Sequence, residues 1–144
     1  MVIYLDTSAL IKLYLLEEGS EIVQRRIVSQ EQPLPVWEIQ EAELINALHL
    51  NVFWKKISQK QAEKQIAYFY ERQKKGHYFF PEIHRGELMK NFRTLSRETA
   101  RLGCRTMDIM HVACALQIGA TAFITFDDRQ KSLAEFAKLH TRFV

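Results

Sequence analysis

The sequence predicts an α/β fold in which a mostly parallel central sheet is covered by helices on both faces. Two apolar runs rich in β-branched and aromatic residues, Val2–Leu5 and Thr121–Phe126, have the composition of buried strands. Between them lie several segments in which apolar residues recur at helical spacing. Strands separated by helices require crossover connections, and crossovers join parallel strands whose two faces are covered.

The first half of the chain alternates helices with one further strand. A helical pattern follows the first strand and breaks near Gly19, and a second helix is expected to run to about Val28. Two prolines bracket a short predicted strand over Leu34–Ile39. The next helix is expected to start near Gln40, and its apolar side carries Leu44, Ile45, Leu48 and Val52.

The middle of the chain has clear helix boundary signals. The sequence from Ser58 to Gln61 forms a capping box, which predicts the start of a helix. The residues expected to face inward are Ala62, Ile66, Phe69 and Tyr70. Gly76 is a plausible residue to follow the helix end, and His77–Pro81 should be extended. Another helix is predicted over about Gly86–Leu102, where Gly103 would stop it.

The last third contains two more helices around the second strong strand. Thr106 can cap a helix over Met107–Ile118. After the strand, a helix is expected over about Arg129–Lys138, and Thr141–Val144 is predicted as a closing strand. This order of elements completes the expected alternation of strands and helices.

Length and composition favour a single domain over residues 1–144. A chain of 144 residues in which 47% are apolar and 26% charged is typical of a globular domain. The N-terminal segment resembles no secretory signal, and no apolar run approaches the ~20 residues of a membrane span. Two cysteines without a CxxC motif predict neither a disulfide framework nor a zinc site. We therefore expect a cytoplasmic protein without a membrane partner.

Charge is distributed unevenly along the chain. Residues 55–105 contain 13 Lys and Arg against 5 Glu, whereas the remainder contains 7 basic and 12 acidic residues. The basic segment could consist of ordinary solvated helix faces. Alternatively, it could attract a polyanion towards an acidic site formed elsewhere. The second interpretation requires the acidic residues to be clustered.

Four carboxylates from separate segments are predicted to meet at one edge of the sheet. Asp6 and Asp127 follow the two strong strands, so they lie at the carboxyl ends where ligand sites of open α/β sheets form. Glu43 is expected in the first turn of the helix that follows a strand. Asp108 lies at the start of a helix that leads into a strand, and such a helix begins at the same edge.

Such a cluster predicts a divalent cation. Several ionised carboxylates at close range repel one another unless a cation offsets their charge. Ligands that are all oxygen favour Mg²⁺ or Mn²⁺ over Zn²⁺. An ion of this kind can activate a water molecule and offset the charge that develops on a phosphoryl group.

The four acidic blocks resemble a known family. The segments YLDTSALIKLY, EAELINAL, RTMDIMHVACALQIGA and FITFDDR, in this order and at this approximate spacing, look like a PIN-domain nuclease. The closest likeness is to the VapC-type toxins of prokaryotic toxin–antitoxin pairs. The likeness extends over nearly the whole chain, and it is the combination of the blocks that makes it specific.

The resemblance implies a fold, an activity and partners. The fold would be a three-layer α/β/α PIN-like fold, and the activity Mg²⁺- or Mn²⁺-dependent hydrolysis of RNA phosphodiester bonds. The family also forms homodimers and is neutralised by a small antitoxin encoded alongside. The implied metal-binding and catalytic residues are Asp6, Glu43, Asp108 and Asp127. Asp6 and Asp108 would be the surest ligands, whereas Asp127 matches the most variable position.

Hydroxyl-bearing residues accompany these acids. Thr7, Ser8 and Thr125 occupy positions where the family often has hydroxyls bonded to the carboxylates. His111 follows Asp108 by three residues on the same helical face. A core or hydrogen-bonded histidine is favoured there over a metal ligand.

Two other functions fit parts of the sequence. A non-catalytic RNA- or protein-binding module would use the basic segment without cleaving anything. An aspartyl-phosphate phosphotransferase would use Asp6 as a covalent nucleophile, although Ser8 stands where such enzymes usually place a second aspartate. Individual acids also have structural alternatives, because Asp6 or Asp127 could simply cap a helix and Glu38 or Glu41 could replace Glu43.

Overall fold

A computed structural model describes residues 2–143 of the chain. Four short strands run along it: β1 (Ile3–Leu5), β2 (Leu34–Pro35), β3 (Tyr78–Phe79) and β4 (Ala122–Ile124). The helices are α1 (Thr7–Leu10), α2 (Ser20–Val28), α3 (Glu38–Phe53), α4 (Gln59–Lys74), α5 (Arg85–Ser96), α6 (Thr99–Leu102), α7 (Thr106–Gln117) and α8 (Asp128–Phe136), with a 3₁₀ turn at Ile11–Leu13. The alternation of strands and helices is the one that the sequence predicts.

Every strand pairing within residues 2–143 is parallel. Strand β1 pairs with β4, so that Ile3 stands opposite Ala122 and Leu5 opposite Ile124. Strand β2 pairs with β3 in the same direction, and it lies next to β1. The prediction of a parallel central sheet is therefore confirmed.

Two hydrophobic cores cover the two faces of this sheet. Side chains alternate along a strand, so Ile3 and Leu5 enter one core while Tyr4 enters the other. The first core contains residues from α1 to α4, and the second contains residues from α5, α7 and α8. In the second core the ring of Tyr4 stacks on Phe123, with ring centroids 5.3 Å apart. This arrangement is the three-layer α/β/α architecture that the sequence predicts.

Helix α3 begins earlier than expected. The strand predicted over Leu34–Ile39 is too long, because the chain turns into a helix at Glu38. Gln40 causes this early start: its side-chain Oε1 accepts the backbone N–H of Trp37 at 2.9 Å, and its Nε2 donates to the carbonyl of Leu5 at 2.7 Å. Trp37 thus precedes the helix as its cap, and the first turn is tied to β1.

Helix α4 shows the predicted capping box and one wrong prediction. Ser58 and Gln61 cap each other's backbone N–H groups, and Gly76 has a φ of +83° just after the helix end. Phe69 is completely buried, whereas Tyr70 is 38% exposed. Consecutive helical residues lie about 100° apart, so Tyr70 cannot share the inward direction of Phe69.

The long helix predicted over Gly86–Leu102 is two helices. Helix α5 ends at Ser96, and the N–H of Glu98 then bonds the carbonyl of Leu95, three residues back, which tightens the turn. Leu95 is buried in the second core, and the short α6 packs against α8. The chain must turn between these two contacts. Gly103 ends α6, as predicted.

Two boundary predictions near the C-terminal third are wrong. Helix α7 starts at Thr106 itself, because the preceding Arg105 takes the capping position. The closing strand predicted over Thr141–Val144 is replaced by a single bridge between His140 and Ala122, and residues 141–143 form no ladder. Val144 lies outside the described residues. None of the helices in residues 2–143 is long and apolar enough to cross a membrane.

Candidate active site at the carboxyl edge of the sheet

Asp6 lies directly after β1 and caps helix α1. Its side chain is 3% exposed, and its N–H bonds the carbonyl of Ile124 on the neighbouring strand. Carboxylate oxygen Oδ1 accepts the hydroxyl of Ser8 at 2.7 Å and the backbone N–H of Ala9 at 3.0 Å. Oxygen Oδ2 accepts the hydroxyl of Thr125 at 2.6 Å. Asp6 is therefore a helix cap, and it also lies where the sequence predicts the site.

The pKa of Asp6 reflects two opposing effects. Burial raises it above the ordinary value of an aspartate, because the charged form loses its hydration. The hydrogen bonds from Thr125 and Ser8 favour the charged form and act in the opposite direction without cancelling the effect of burial. A positive charge near this carboxylate would lower its pKa back towards the ordinary value.

Thr125 connects Asp6 to Asp127. Besides donating to Asp6, its hydroxyl oxygen accepts the backbone N–H of Asp127 at 3.0 Å. Ser8 makes a parallel link, because its hydroxyl oxygen accepts the N–H of Phe126 at 2.9 Å. The loop after β4 is thus fixed to the loop after β1, which places both acids on the same edge of the sheet.

Gln130 connects Asp127 to Asp108. This glutamine is 1% exposed, and its side-chain Nε2 donates to the backbone carbonyl of Asp108 at 3.1 Å. Its backbone N–H bonds the carboxylate of Asp127 at 2.9 Å, so Asp127 caps helix α8. Its Oε1 lies 3.2 Å from the hydroxyl of Thr125. One buried side chain therefore joins the starts of α7 and α8 to the end of β4.

Glu43 lies in the second turn of α3, not in the first turn as predicted, because α3 begins at Glu38. Oxygen Oε1 of Glu43 accepts the hydroxyl of Thr7 at 2.6 Å and also contacts Nε2 of His111. Burial alone would raise the pKa of Glu43, but the bonds from His111 and Thr7 outweigh burial, and the pKa lies below the ordinary value. Of the candidate glutamates, Glu43 is the one attached to the site.

Asp108 and Asp127 line an open cleft of about 520 Å³. Oxygen Oδ2 of Asp108 caps α7 by accepting the N–H of Arg105 at 3.1 Å. The other side chains that line the cleft are Arg105, Phe126, Asp128 and Arg129. The cleft thus combines three carboxylates with two guanidinium groups, a composition suited to a phosphate group accompanied by a cation.

The sequence resemblance and the structure lead to one family. The family model of the PIN domain matches residues 3–136. The chain belongs to the PIN domain family. No curated protein matches it by sequence.

A solved structure shares the fold of this PIN domain. It is the crystal structure of VapC20 from Mycobacterium tuberculosis, a toxin that cleaves the sarcin–ricin loop. The two chains are 16% identical and superpose with a TM-score of 0.67, and the match covers 90% of this chain and 93% of VapC20. At this identity the match establishes the fold.

The acids of this PIN domain have the ligand chemistry that a divalent ion requires, but they do not form a preformed metal site. Within residues 2–143, Glu43, Asp108 and Asp127 each use one carboxylate oxygen as a hydrogen-bond acceptor and leave the other without a partner. Hard oxygen donors of this kind match Mg²⁺ and Mn²⁺. However, no three Asp, Glu, His or Cys side chains in that part of the chain are close enough to hold an ion. The donor set therefore fits a metal only if the side chains move closer together.

Sequence reasoning missed several residues that position these acids. Gln130 and Gln40 are both 1% exposed and hydrogen-bonded, and nothing in the local sequence marks them as buried. His111 is a hydrogen-bonded histidine, as the sequence favours, but its bond to Glu43 was not anticipated. The signal in the sequence for that contact is the position of His111 one helical turn after Asp108.

Proposed function

We propose that this PIN domain is a divalent-metal-dependent endoribonuclease that hydrolyses RNA phosphodiester bonds. The observation that carries the proposal is the network in which Thr125 and Gln130 join Asp6, Asp108 and Asp127 along one edge of the sheet. The carboxylate of Asp6 is buried, and burying an ionised group costs free energy that its hydrogen bonds only partly offset. Buried ionisable groups with shifted pKa values are typical of functional sites.

The ion would be Mg²⁺ or Mn²⁺, held by Asp6, Glu43, Asp108 and Asp127. The chemistry that it supplies when bound is a lowered pKa for a water molecule and an offset for charge on the scissile phosphate. The chain's own part is to keep the four acids ionised and oriented. Thr125, Ser8 and Thr7 donate to these carboxylates and so favour their charged forms.

The RNA would be attracted by positive charge around the cleft. Arg105 and Arg129 line the cleft, where a guanidinium group can bond a backbone phosphate. Residues 55–105 carry an excess of eight positive charges, which would increase the rate of RNA encounter at low salt. Phosphate contacts of this type bind RNA without selecting its sequence.

We further propose that the protein is the toxin of a toxin–antitoxin pair, in which it acts as a homodimer. The likeness of its fold to VapC20, a toxin that cleaves the sarcin–ricin loop, supports this assignment. A neighbouring short gene would encode a DNA-binding antitoxin. Induced expression of this chain should then arrest growth, and co-expression of the neighbouring gene should restore it. Light scattering of the purified protein measures whether its mass is twice 17.0 kDa.

The direct test of the nuclease is cleavage of total RNA with Mg²⁺, with Mn²⁺ or with EDTA, followed by mapping of the cut ends. We expect cleavage at discrete positions with either ion and none with EDTA. An Asp108→Asn variant purified in parallel should be inactive, and Glu38→Gln, an exposed acid on α3, should be fully active.

The alternatives have distinct outcomes in the same assay. RNA binding that needs no divalent ion and produces no cut ends would identify a non-catalytic module and contradict the proposal. Covalent capture of a phosphoryl group on Asp6 would identify a phosphotransferase instead. Cleavage that persists in EDTA would contradict the metal requirement.

A further inference from the structure

A row of buried polar groups runs through the second core to Glu43. The indole Nε1 of Trp37 donates to the hydroxyl oxygen of Tyr4 at 2.7 Å. That hydroxyl lies 2.6 Å from Nδ1 of His111, whose Nε2 contacts Oε1 of Glu43. Tyr4 is completely buried and His111 is 3% exposed, while the Glu43 side chain is 32% exposed. Trp37 is 8% exposed, so Glu43 is the most exposed member of the row.

Counting donors gives the direction of two of these bonds. Indole Nε1 can only donate, so the oxygen of Tyr4 must accept from Trp37. An ionised carboxylate can only accept, so the bond between His111 and Oε1 of Glu43 is donated by the Nε2–H group of His111. The other ring nitrogen, Nδ1, faces the hydroxyl of Tyr4.

This row connects the three elements that carry the principal acids. Tyr4 lies on β1 two residues before Asp6. His111 lies on α7 one turn after Asp108. Trp37 precedes α3, which carries Glu43. A shift of any one element would break a bond in the row, so the relative placement of the acids depends on it.

We propose that His111 is a positioning residue, which fixes one oxygen of Glu43 through its Nε2–H group and so orients the other oxygen for the metal site. This inference rests on the proposed nuclease function. Thr7 and His111 both bond Oε1, and Oε2 of Glu43 has no partner within residues 2–143. A carboxylate held in this way cannot rotate freely, and its open oxygen keeps one direction.

Stability alone does not require this polar row. A buried polar network can often be replaced as a whole by apolar side chains of similar volume with little loss of stability. Position 111 lies among buried apolar residues of α7, including Val112 and Ile109. The polar row therefore has a role that an apolar core would not supply. His111→Leu on its own would leave the buried hydroxyl of Tyr4 without this partner, so the stability of the variant is measured beside its activity.

The test compares His111→Leu, which removes the donor, with His111→Gln, whose side-chain amide can donate from nearly the same place as Nε2. The control is His49→Leu, the same change at an exposed position on α3. For each variant, Mn²⁺ affinity is measured by electron paramagnetic resonance, and kcat, KM for RNA and the melting temperature are measured separately. Tyr4→Phe provides a fourth variant, which removes the group that orients the imidazole.

We expect His111→Leu to lower Mn²⁺ affinity and kcat by about 10- to 100-fold, as for other residues that orient metal ligands. KM for RNA should stay unchanged, His111→Gln should recover most of the loss, and His49→Leu should match the wild type. Tyr4→Phe should show a smaller loss in both quantities. Nitrogen NMR of the wild type should find a proton on Nε2 of His111.

The outcomes separate this inference from the proposed function. Wild-type Mn²⁺ affinity and kcat in a folded His111→Leu variant would overturn the inference, and so would a His111→Gln variant as impaired as His111→Leu. A wild-type His111 without a proton on Nε2 would overturn it as well. The nuclease assignment would survive all of these results, because it is tested separately by the metal dependence of RNA cleavage and by the cleavage activity of Asp6→Asn and Asp108→Asn.

Discussion

The hydroxyl of Thr125 donates to Oδ2 of Asp6 across 2.6 Å, although the two residues are 119 positions apart in the sequence. The same hydroxyl oxygen accepts the backbone N–H of Asp127. One small side chain at the end of β4 thus stabilises the charged form of one acid and fixes the backbone of another. This relationship makes Thr125 as informative for mutagenesis as the acids themselves.

Replacing Thr125 with valine should weaken both stability and cleavage. Valine has nearly the same shape but no donor, so Oδ2 of the buried Asp6 would lose its bond. We expect a loss of about 1.5–3 kcal/mol in the free energy of unfolding, the usual range for a hydrogen bond to a charged group. Urea denaturation measures this loss, and Thr125→Ser should restore most of it. Thr94→Val, at an exposed position, is the control. Equal stability of Thr125→Val and the wild type would show that this bond contributes nothing.

The pH dependence of stability should reveal the buried charge of Asp6. Burial raises the pKa of Asp6 in the folded state above its pKa in the unfolded chain. The protonated form of Asp6 therefore favours folding: this contribution to stability is complete below the unfolded-state pKa and is lost as the pH rises through the folded-state pKa. Asp6→Asn cannot acquire this charge. We therefore expect the variant to gain stability relative to the wild type near pH ~7 and to lose that advantage as the pH falls below about 4. Denaturation in EDTA at several pH values measures the stability of Asp6→Asn relative to the wild type. A relative stability that is lower at neutral pH than at acid pH would contradict the prediction.

Replacing Glu43 should change the stability with pH in the opposite direction. Bonds from His111 and Thr7 outweigh burial and lower its pKa in the folded state, so its contribution is present above the unfolded pKa and is lost as pH falls through the folded pKa. Glu43→Gln should therefore destabilise the protein at neutral pH, by about 1 kcal/mol for a partly exposed group. The deficit should shrink in acid. Glu38→Gln, the same change at an exposed position of α3, is the control. A deficit that grows in acid would contradict the lowered pKa of Glu43.

Both cysteines should be unreactive in the folded protein. Burial raises the pKa of Cys114 to about 12 and also raises the pKa of Cys104, so neither thiol forms much of the reactive thiolate near neutral pH. A chromogenic disulfide reagent should react with no thiol of the native protein and with two after denaturation. Rapid labelling of one cysteine in the native protein would show that its surroundings are more open than the structure indicates.

The sequence is sufficient to predict the three layers of the fold and the edge of the sheet on which the acids lie. Strand ends and helix starts fix that edge by topology alone, as the positions of Asp6 and Asp127 show. The prediction that Glu43 lies in the first turn of α3 is wrong, because the start of α3 depends on a contact between Gln40 and the distant carbonyl of Leu5. Local sequence patterns cannot predict a contact between residues so far apart in the chain.

Long-range polar partners explain most of what the sequence did not predict. Tyr4 and His111 are 107 positions apart, and each would be expected in the core on its own. Their bond, and its extension to Glu43, arises only when β1, α3 and α7 pack together. The division between α5 and α6 has the same origin, because it depends on where Leu95 and α8 lie in three dimensions.

The most direct test of the central claim is the single-turnover rate at which Asp6→Asn and Asp108→Asn cleave an RNA that the wild type cuts in Mg²⁺. Circular dichroism would first establish that both variants are folded. We predict that each rate falls by at least about 100-fold, the scale on which charge-stabilising groups act in active sites. Cleavage at the wild-type rate by either folded variant would contradict the claim that these carboxylates form the active site.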